Sequence, residues 1–413
     1  MEIQSNKLIS IDSDDIKDGV LYLPESVETI GDKVIQNQPE LVTVVAPWVT
    51  VIEDDNFNEC NALIHFEASV LTTIGNGNFY ECNALTRFEA PRLTTMESLN
   101  FHCCNALTHF DVPELTLLEN DNFQECNALS DFTAPVLTTI RHCNFEDCNA
   151  LISFEAPMLK EMEIFNFKEC KALTNFKASA LTFMDRSNFY KCDALTDFEA
   201  PMLDFIGNEN FKFCYALRHF KAPMLRTIGR ENFFACALTN FDVPELTYMG
   251  TGNFEECDTL TDVRFGKYNY SVKSVDRVLT IIEKSETLNG MLIHTGFILN
   301  NCYDGVPNVT ETVLVEKDGF FAHGETLKQA IEDLQFKIIA KEIKKEPIHE
   351  DTVITEAYYK TITGACTQGV KQWREQNNIS QESFIAKELL PILEKTNAYG
   401  IEKFKALITF ENR

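Results

Sequence analysis

Asn56-Phe57-Asn58-Glu59-Cys60-Asn61-Ala62-Leu63-Ile64-His65-Phe66-Glu67-Ala68, followed by Leu71-Thr72-Thr73-Ile74, is written again at Asn78-Phe79 to Met96, and the fold follows from that repetition. The Asn-Phe pair recurs at Phe57, Phe79, Phe101, Phe123, Phe145, Phe167, Phe189, Phe211 and Phe233, a period of 22 residues. Phe254 comes after 21, because Cys236 runs straight into Ala237-Leu238 where other copies insert one residue. Three residues after each Phe stands a Cys, from Cys60 to Cys257, and then a Leu, from Leu63 to Leu260. A second aromatic series runs from Phe66 through Phe88 and Phe110 to Phe241, and an apolar pair such as Leu71 with Ile74 closes each copy. A weaker copy with Val27, Ile30, Ile35, Leu41, Val44 and Pro47 precedes the ten clear ones.

A short period of this kind marks a solenoid, since one coil cannot bury its own apolar side and a stack of coils forms a continuous core. Within Leu63 to Ala68, Leu63, Phe66 and Ala68 share one face and His65 and Glu67 the other, the alternation of a short strand. Pro91, Pro113 and Pro135 lack an amide donor and should end their strands. Leu71 to Ile74 reads as a second extended segment. The expected architecture is a stack of about 10 to 11 coils, short parallel β-strands over residues 27–265, with an N-terminal cap over 1–26.

The Phe-x-x-Cys-x-x-Leu segment, the strand ending in Pro and the Leu-x-x-Ile closing segment resemble the BspA-like, or Treponema-type, class of leucine-rich repeat. Two features depart from that class: the period of 22 is one residue shorter than usual, and Asn56 and its equivalents stand where a small residue is common. The resemblance implies a leucine-rich repeat solenoid, a bacterial or phage source, and binding or adhesion without catalysis.

Charge is unevenly placed. Up to Phe265 there are 18 Lys and Arg against 42 Asp and Glu, and after it 18 against 21. An acidic repeat surface repels phosphate backbones and anionic lipid, so the repeats should bind neither nucleic acid nor membrane, and would steer a basic protein partner. No apolar run is long enough to span a bilayer, and Met1 to Asp18, with Asp12, Asp14, Asp15 and Asp18, has the wrong composition for a secretory leader. A cytoplasmic or virion-associated protein is expected, with a secreted or surface adhesin as the alternative.

The Cys ladder admits three readings. Metal ligands must converge on a point, which equally spaced residues in a line do not, and inter-coil disulfides would strain a regular stack. Small buried apolar fillers, as free thiols in a reducing compartment, fit best. Cys103 and Cys143 stand off the ladder without an evident role. The Asn series fits satisfaction of turn backbone groups inside the stack. Asn56, Phe57, Cys60, Leu63, Phe66, Leu71 and Ile74 thus stand for the structural ladders. Partner contact is expected instead at the variable outward strand positions: His65, Glu67, Arg87, Glu89, His109, Asp111, Asp131, Glu155, Asp197, Glu199, His219 and Asp242. An ordinary solvated sheet face would carry the same letters, and aromatic anchors are largely missing from these lines.

Beyond Phe265 the repeat stops, and residues 266–413 read as a separate α+β domain. Met291 to Leu299 and Thr312 to Phe321 are strand-like, the latter turning at Asp318-Gly319. Helices are predicted over Thr326 to Lys345 with Thr326 as N-cap, Ile354 to Thr361, Cys366 to Gln376, Ser380 to Lys395 and Ile401 to Phe410. His323, in Phe321 to Glu325, has no local nucleophile, and neither Cys302 nor Cys366 has a local base, so turn and cap chemistry is the expected role of that segment. Tyr358 to Ile379 has the outline of a helix-turn-helix, but Lys360, Lys371 and Arg374 are balanced by Glu356 and Glu375. No catalytic residue, metal ligand or cofactor is expected. An enzyme or DNA-binding activity confined to residues 266–413 is the remaining alternative to a non-catalytic protein-binding scaffold.

Overall fold

The computed structural model describes residues 1–342 and 347–409. They divide into two compact units: Met1–Thr259 with Arg264–Tyr268 and Cys302–Val306, and Leu260–Val263 with Asn269–Asn301 and Pro307–Arg413.

The first unit is a β-solenoid of about 12 turns of about 22 residues. Each turn contributes a strand of two to four residues to a first face, as in His65–Glu67, Arg87–Glu89 and His109–Asp111. It contributes a two-residue strand to a second face, as in Thr73–Ile74 and Thr95–Met96. Neighbouring strands are parallel and in register, with Phe66 opposite Phe88 and Phe88 opposite Phe110. The stack begins earlier than Val27, since Lys7–Ser10 pairs in parallel with Thr29–Ile30 and Val20–Tyr22 with Thr43–Val45. The closing strand is shorter than Leu71 to Ile74, because Leu71 still lies in the turn, where its amide donates to Ala68 at 3.1 Å.

Two columns of phenylalanine rings fill the interior. Phe57, Phe79 and their successors stack at 4.8 Å at the start and 5.9 Å at the end of the series. The Phe66 column stacks beside it, and the two columns meet edge to face, as Phe66 does Phe79 at 5.0 Å and 80°. Such offset and T-shaped contacts are the favoured aromatic geometries. Between turns the backbone must bend sharply, and the residue before each Asn and the second after each Phe are left-handed, including Glu59, Glu81 and Glu125 at φ 56°, 56° and 60°.

The buried Asn side chains hold this bend. Asn78 Oδ1 accepts from Asn56 N at 2.9 Å, Asn100 Oδ1 from Asn78 N at 2.8 Å, and the chain of bonds runs on to Asn253. Asn100 Nδ2 donates to the Gly75 and Glu97 carbonyls at 2.9 and 2.8 Å. One amide side chain therefore satisfies backbone groups of its own turn and of the preceding one, which no apolar residue could do. Each ladder thiol caps one more carbonyl: Cys82 Sγ donates to Phe57 O at 2.9 Å and Cys257 Sγ to Phe233 O at 2.9 Å.

The second unit holds, apart from Tyr268 and Cys302–Val306, the strands β1 (Tyr268–Val275), β2 (Val278–Leu288), β3 (Met291–Tyr303), β4 (Val306–Lys317) and β5 (Phe320–Gly324), an antiparallel meander. Helix α1 (Leu327–Glu342) follows, then β6 (Val353–Thr355), α2 (Glu356–Thr363), α3 (Thr367–Gln376), β7 (Ser383–Ile385), α4 (Ala386–Lys395) and α5 (Ile401–Lys405). The hairpin turn at Asp318-Gly319 lies between β4 and β5, and Thr326 Oγ1 accepts from Gln329 N at 3.3 Å as the cap of α1. Several predicted elements are corrected. β1 and β2 went unread because Tyr268 to Leu288 mixes Lys, Ser and Glu with apolar residues on a half-exposed sheet. The helices predicted from Ile354 and Ser380 start only after β6 and β7, which pair with each other, Ile354 opposite Phe384. Residues 343–345 of the first predicted helix and Phe410 of the last lie outside the described residues.

Candidate binding surface

Outward positions on the first face flank a buried Phe in each turn from Phe66 to Phe241. His65, Glu67, Arg87, Glu89, His109, Asp111, Asp131, Asp197, Glu199, His219 and Asp242 are exposed, and Glu155 is half-buried. Register aligns them in two lines, His65 beside Arg87 beside His109, and Glu67 beside Glu89 beside Asp111. Strands one turn apart sit about 4.8 Å from each other, so like residues on successive turns form close rows.

Much of the acid on this face is already matched. Glu89 is paired with Arg87 on its own strand. One turn on from each partner, Lys177 lies 3.5 Å from Glu155, Lys221 2.5 Å from Glu199 and Arg264 3.4 Å from Asp242. Asp131 and Asp197 accept from Ser130 and Thr196 hydroxyls at 2.7 and 2.6 Å. Glu67 and Asp111 carry no ion pair among the described residues. Exposed pairs of this kind contribute little to stability and lower the net field of the face.

The denser negative charge lies on the Asn-Phe loops, which the sequence reading passed over. Glu59, Glu81, Glu125, Asp147 and Glu169 occupy the same left-handed position in five turns, with Cys103 in the place of the missing acid. Burial and then the charges of Glu169 and Glu146 hold the Asp147 carboxyl above its ordinary range. The signal was available in the 22-residue period, since an acid stands just before the ladder Cys in turn after turn up to Glu169, broken at Cys103. Toward the later turns the column changes character, and Lys191 pairs with Glu169 at 3.1 Å.

Apolar anchors also exist, away from the two outward lines of the first face. Phe183 and Phe205 stack at 4.9 Å on the second face, and Met158, Met202 and Met224 are about half exposed at the turns after their prolines.

The interior ladders are sealed. Asn56, Phe57, Cys60, Leu63, Leu71 and Ile74 are fully buried and Phe66 is 1 % exposed. All fourteen cysteines are free, and burial pushes the Cys60 thiol up to about 11 and the Cys257 thiol up to about 12. Such thiols stay protonated and unreactive at neutral pH.

In the second unit the residues of the helix-turn-helix outline are committed elsewhere. Lys360 Nζ lies 2.6 Å from Asp333, Arg374 3.4 Å from Glu356, and Lys371 pairs with Glu325. His323 is not in a turn or cap. It sits on β5 opposite Leu314, fully buried, with Nε2 2.7 Å from Thr280 Oγ1 and no partner for Nδ1. Asp276, His323 and Cys366 come together there from positions that no local motif connects.

Residues 20–130, 116–225 and 182–276 match the BspA type leucine-rich repeat region, more than half of the 413 residues taken together. The chain belongs to the BspA-type leucine-rich repeat family. Repeats of this family are typically non-catalytic, and leucine-rich repeat domains generally mediate protein binding. Among solved structures it is similar to a leucine-rich repeat protein from Bacteroides ovatus at 17% identity, covering 63% of this chain and 87% of that one with a TM-score of 0.26. A Treponema pallidum leucine-rich repeat protein matches at 20% identity over 38% of this chain and 78% of its own, TM-score 0.36. A leucine-rich cell surface protein from Faecalibacterium prausnitzii matches at 18% identity over 62% and 92%, TM-score 0.37. No curated protein sequence matches this chain. Among the described residues no helix is long and apolar enough to cross a membrane.

Proposed function

We propose that this BspA-type solenoid is a non-catalytic scaffold that takes a basic protein partner on its acidic loops and outer strand face. The observation that carries the reading is the column Glu59, Glu81, Glu125, Asp147 and Glu169, whose first members have no lysine partner among the described residues, whereas Lys191 matches Glu169. Rows of like charge at turn spacing create a field that steers an oppositely charged surface into place. Glu67 and Asp111 extend the same field onto the strand face, beside His65 and His109.

Cross-linked capture by the full chain tests this, comparing the native protein with Glu59→Lys/Glu81→Lys/Glu125→Lys. A Lys- and Arg-rich protein is expected on the native chain, weakened roughly tenfold or more by raising salt from low to about 0.5 M, and absent from the triple variant. A captured protein that is acidic, or is held equally by both chains at all salt concentrations, ends the proposal.

A further inference from the structure

The polar cluster inside the second unit is independent of the scaffold reading and needs its own explanation. Asp276 stands in the turn between β1 and β2, His323 on β5, and Cys366 at the N-cap of α3. One donor atom from each lies within 4.8 Å of the other two. His323 is fully buried and Cys366 is 1 % exposed. Asp276 also lines a cavity of about 350 Å³ together with Phe320, Lys337, Thr363, Tyr399 and Lys403.

A Cys-His-Asp set invites comparison with a nucleophile and its base, and the electrostatics oppose that reading. Burial pushes the Cys366 thiol up to about 11 and the His323 imidazole down to about 4, so the two sit side by side as neutral groups. A nucleophilic pair needs the reverse, a lowered thiol beside a ready base. What the site does offer is one sulfur, one nitrogen and one oxygen donor, two of them on buried side chains and the third at the edge of the cavity. The second, independent observation is His323 Nδ1, a buried nitrogen with no hydrogen-bond partner among the described residues.

We propose that Asp276, His323 and Cys366 bind one divalent cation of the zinc class, with a fourth position open to the cavity that Asp276 lines. Sulfur, imidazole and carboxylate together suit zinc, and three protein ligands with one open position are the pattern of a site that keeps room for water or a small ligand. Metal–ligand bonds of about 2.0 to 2.3 Å are within reach of donors that all lie within 4.8 Å of one another. Thr280 Oγ1 holds the imidazole through Nε2, the outer contact that fixes ring orientation in metal-binding histidines. Gly369 N donates to Cys366 Sγ at 3.3 Å from the first turn of α3, where the helix end favours a thiolate. Lys337 Nζ lies 2.6 Å from Asp276 Oδ2 and supplies the positive charge until the metal takes that carboxylate.

The group His102, Cys103 and Glu125 on the solenoid, of which only Glu125 is exposed, is a competing set of donors, so the experiment uses the full chain carrying Cys103→Ala. Chelator-stripped protein, kept reduced, is titrated with zinc alone against a chromophoric chelator, and with cobalt(II) for its thiolate charge-transfer band. One zinc per chain is expected, with the cobalt band present. Adding Cys366→Ser or His323→Ala should weaken zinc by roughly 100-fold or more and abolish the band. Lys337→Met, which leaves all three donors in place, should tighten zinc by roughly tenfold because it removes the competing ammonium. The proposal is overturned if the chain takes up no zinc, if zinc survives Cys366→Ser and His323→Ala, or if Lys337→Met leaves affinity unchanged or lower.

Discussion

The two units bury polar groups in opposite ways. In the solenoid every buried Asn from Asn56 to Asn253 meets a partner one turn away, and the same bond recurs down the stack. In the second unit the buried polar groups are single solutions: Lys337 on Asp276, Lys360 and Thr367 on Asp333, and His323 on Thr280. Repetition makes a polar interior part of the fold, because each turn supplies what its neighbour needs. A polar interior assembled once, from residues 27 to 61 apart, is either a local compensation or a site. The Asn ladder is therefore expected to resist replacement, and the second unit's buried pairs to tolerate it when both partners change.

The sharpest way to break this contrast is Asn100→Ala. It strands the Asn78 amide and the Gly75 and Glu97 carbonyls inside the stack, and should cost about 3–9 kcal/mol at about 1–3 kcal/mol for each unpaired buried group. Urea unfolding followed by circular dichroism measures it, and a loss under about 1 kcal/mol would mean that water or a backbone shift replaces the side chain. Next in size is the Asp333–Lys360 pair. Asp333→Leu alone should cost about 3–5 kcal/mol by leaving a buried ammonium, whereas Asp333→Leu with Lys360→Met should return to within about 1 kcal/mol of the native chain. A double variant as damaged as the single one would place the second unit's polar groups on the same footing as the Asn ladder.

The smallest effect sits on the acidic loops. The Asp147 carboxyl is raised in the folded protein, so the folded state holds its proton more tightly than the unfolded chain does. Stability is therefore lost as pH rises through the window between the unfolded and folded values, and above it Asp147 is a net burden. Asp147→Asn should stabilise at pH 7 by under about 1 kcal/mol, screened by solvent and salt, with no gain at a pH below both values. A destabilised Asp147→Asn protein would show that this carboxylate has a favourable partner and that the column is not a row of crowded like charges.

How much could be read from the chain follows the same division. Phe57, Cys60, Leu63 and Phe66 announced inward positions because a period of 22 repeats them in register, and the outward variation at His65 and Glu67 followed from strand alternation. The acid column follows the same period less completely, since Cys103, Lys191, Phe213 and Ala235 interrupt it and its left-handed backbone belongs to neither strand. β1 and β2 were missed because their apolar residues alternate imperfectly on a sheet with one wet side. Asp276, His323 and Cys366 give no local pattern at all, because three elements far apart in sequence must fold before their donors meet.

Sequence alone determined the stack, its interior columns and the family, since periodic burial is a local property repeated many times. Only the tertiary structure decided which acids stay unmatched, because ion pairs such as Lys177–Glu155 and Lys221–Glu199 depend on how side chains reach across turns. It also decided the backbone of the loop: Phe57, Phe79 and Phe101 are left-handed, and Phe101 N donates back to Asn78 O at 3.0 Å. From Phe123 onward the same Asn-Phe pair donates forward, Phe123 N to Asn144 O at 2.8 Å. Identical dipeptides thus take two conformations, because a backbone amide bonds to whichever neighbouring turn presents its carbonyl.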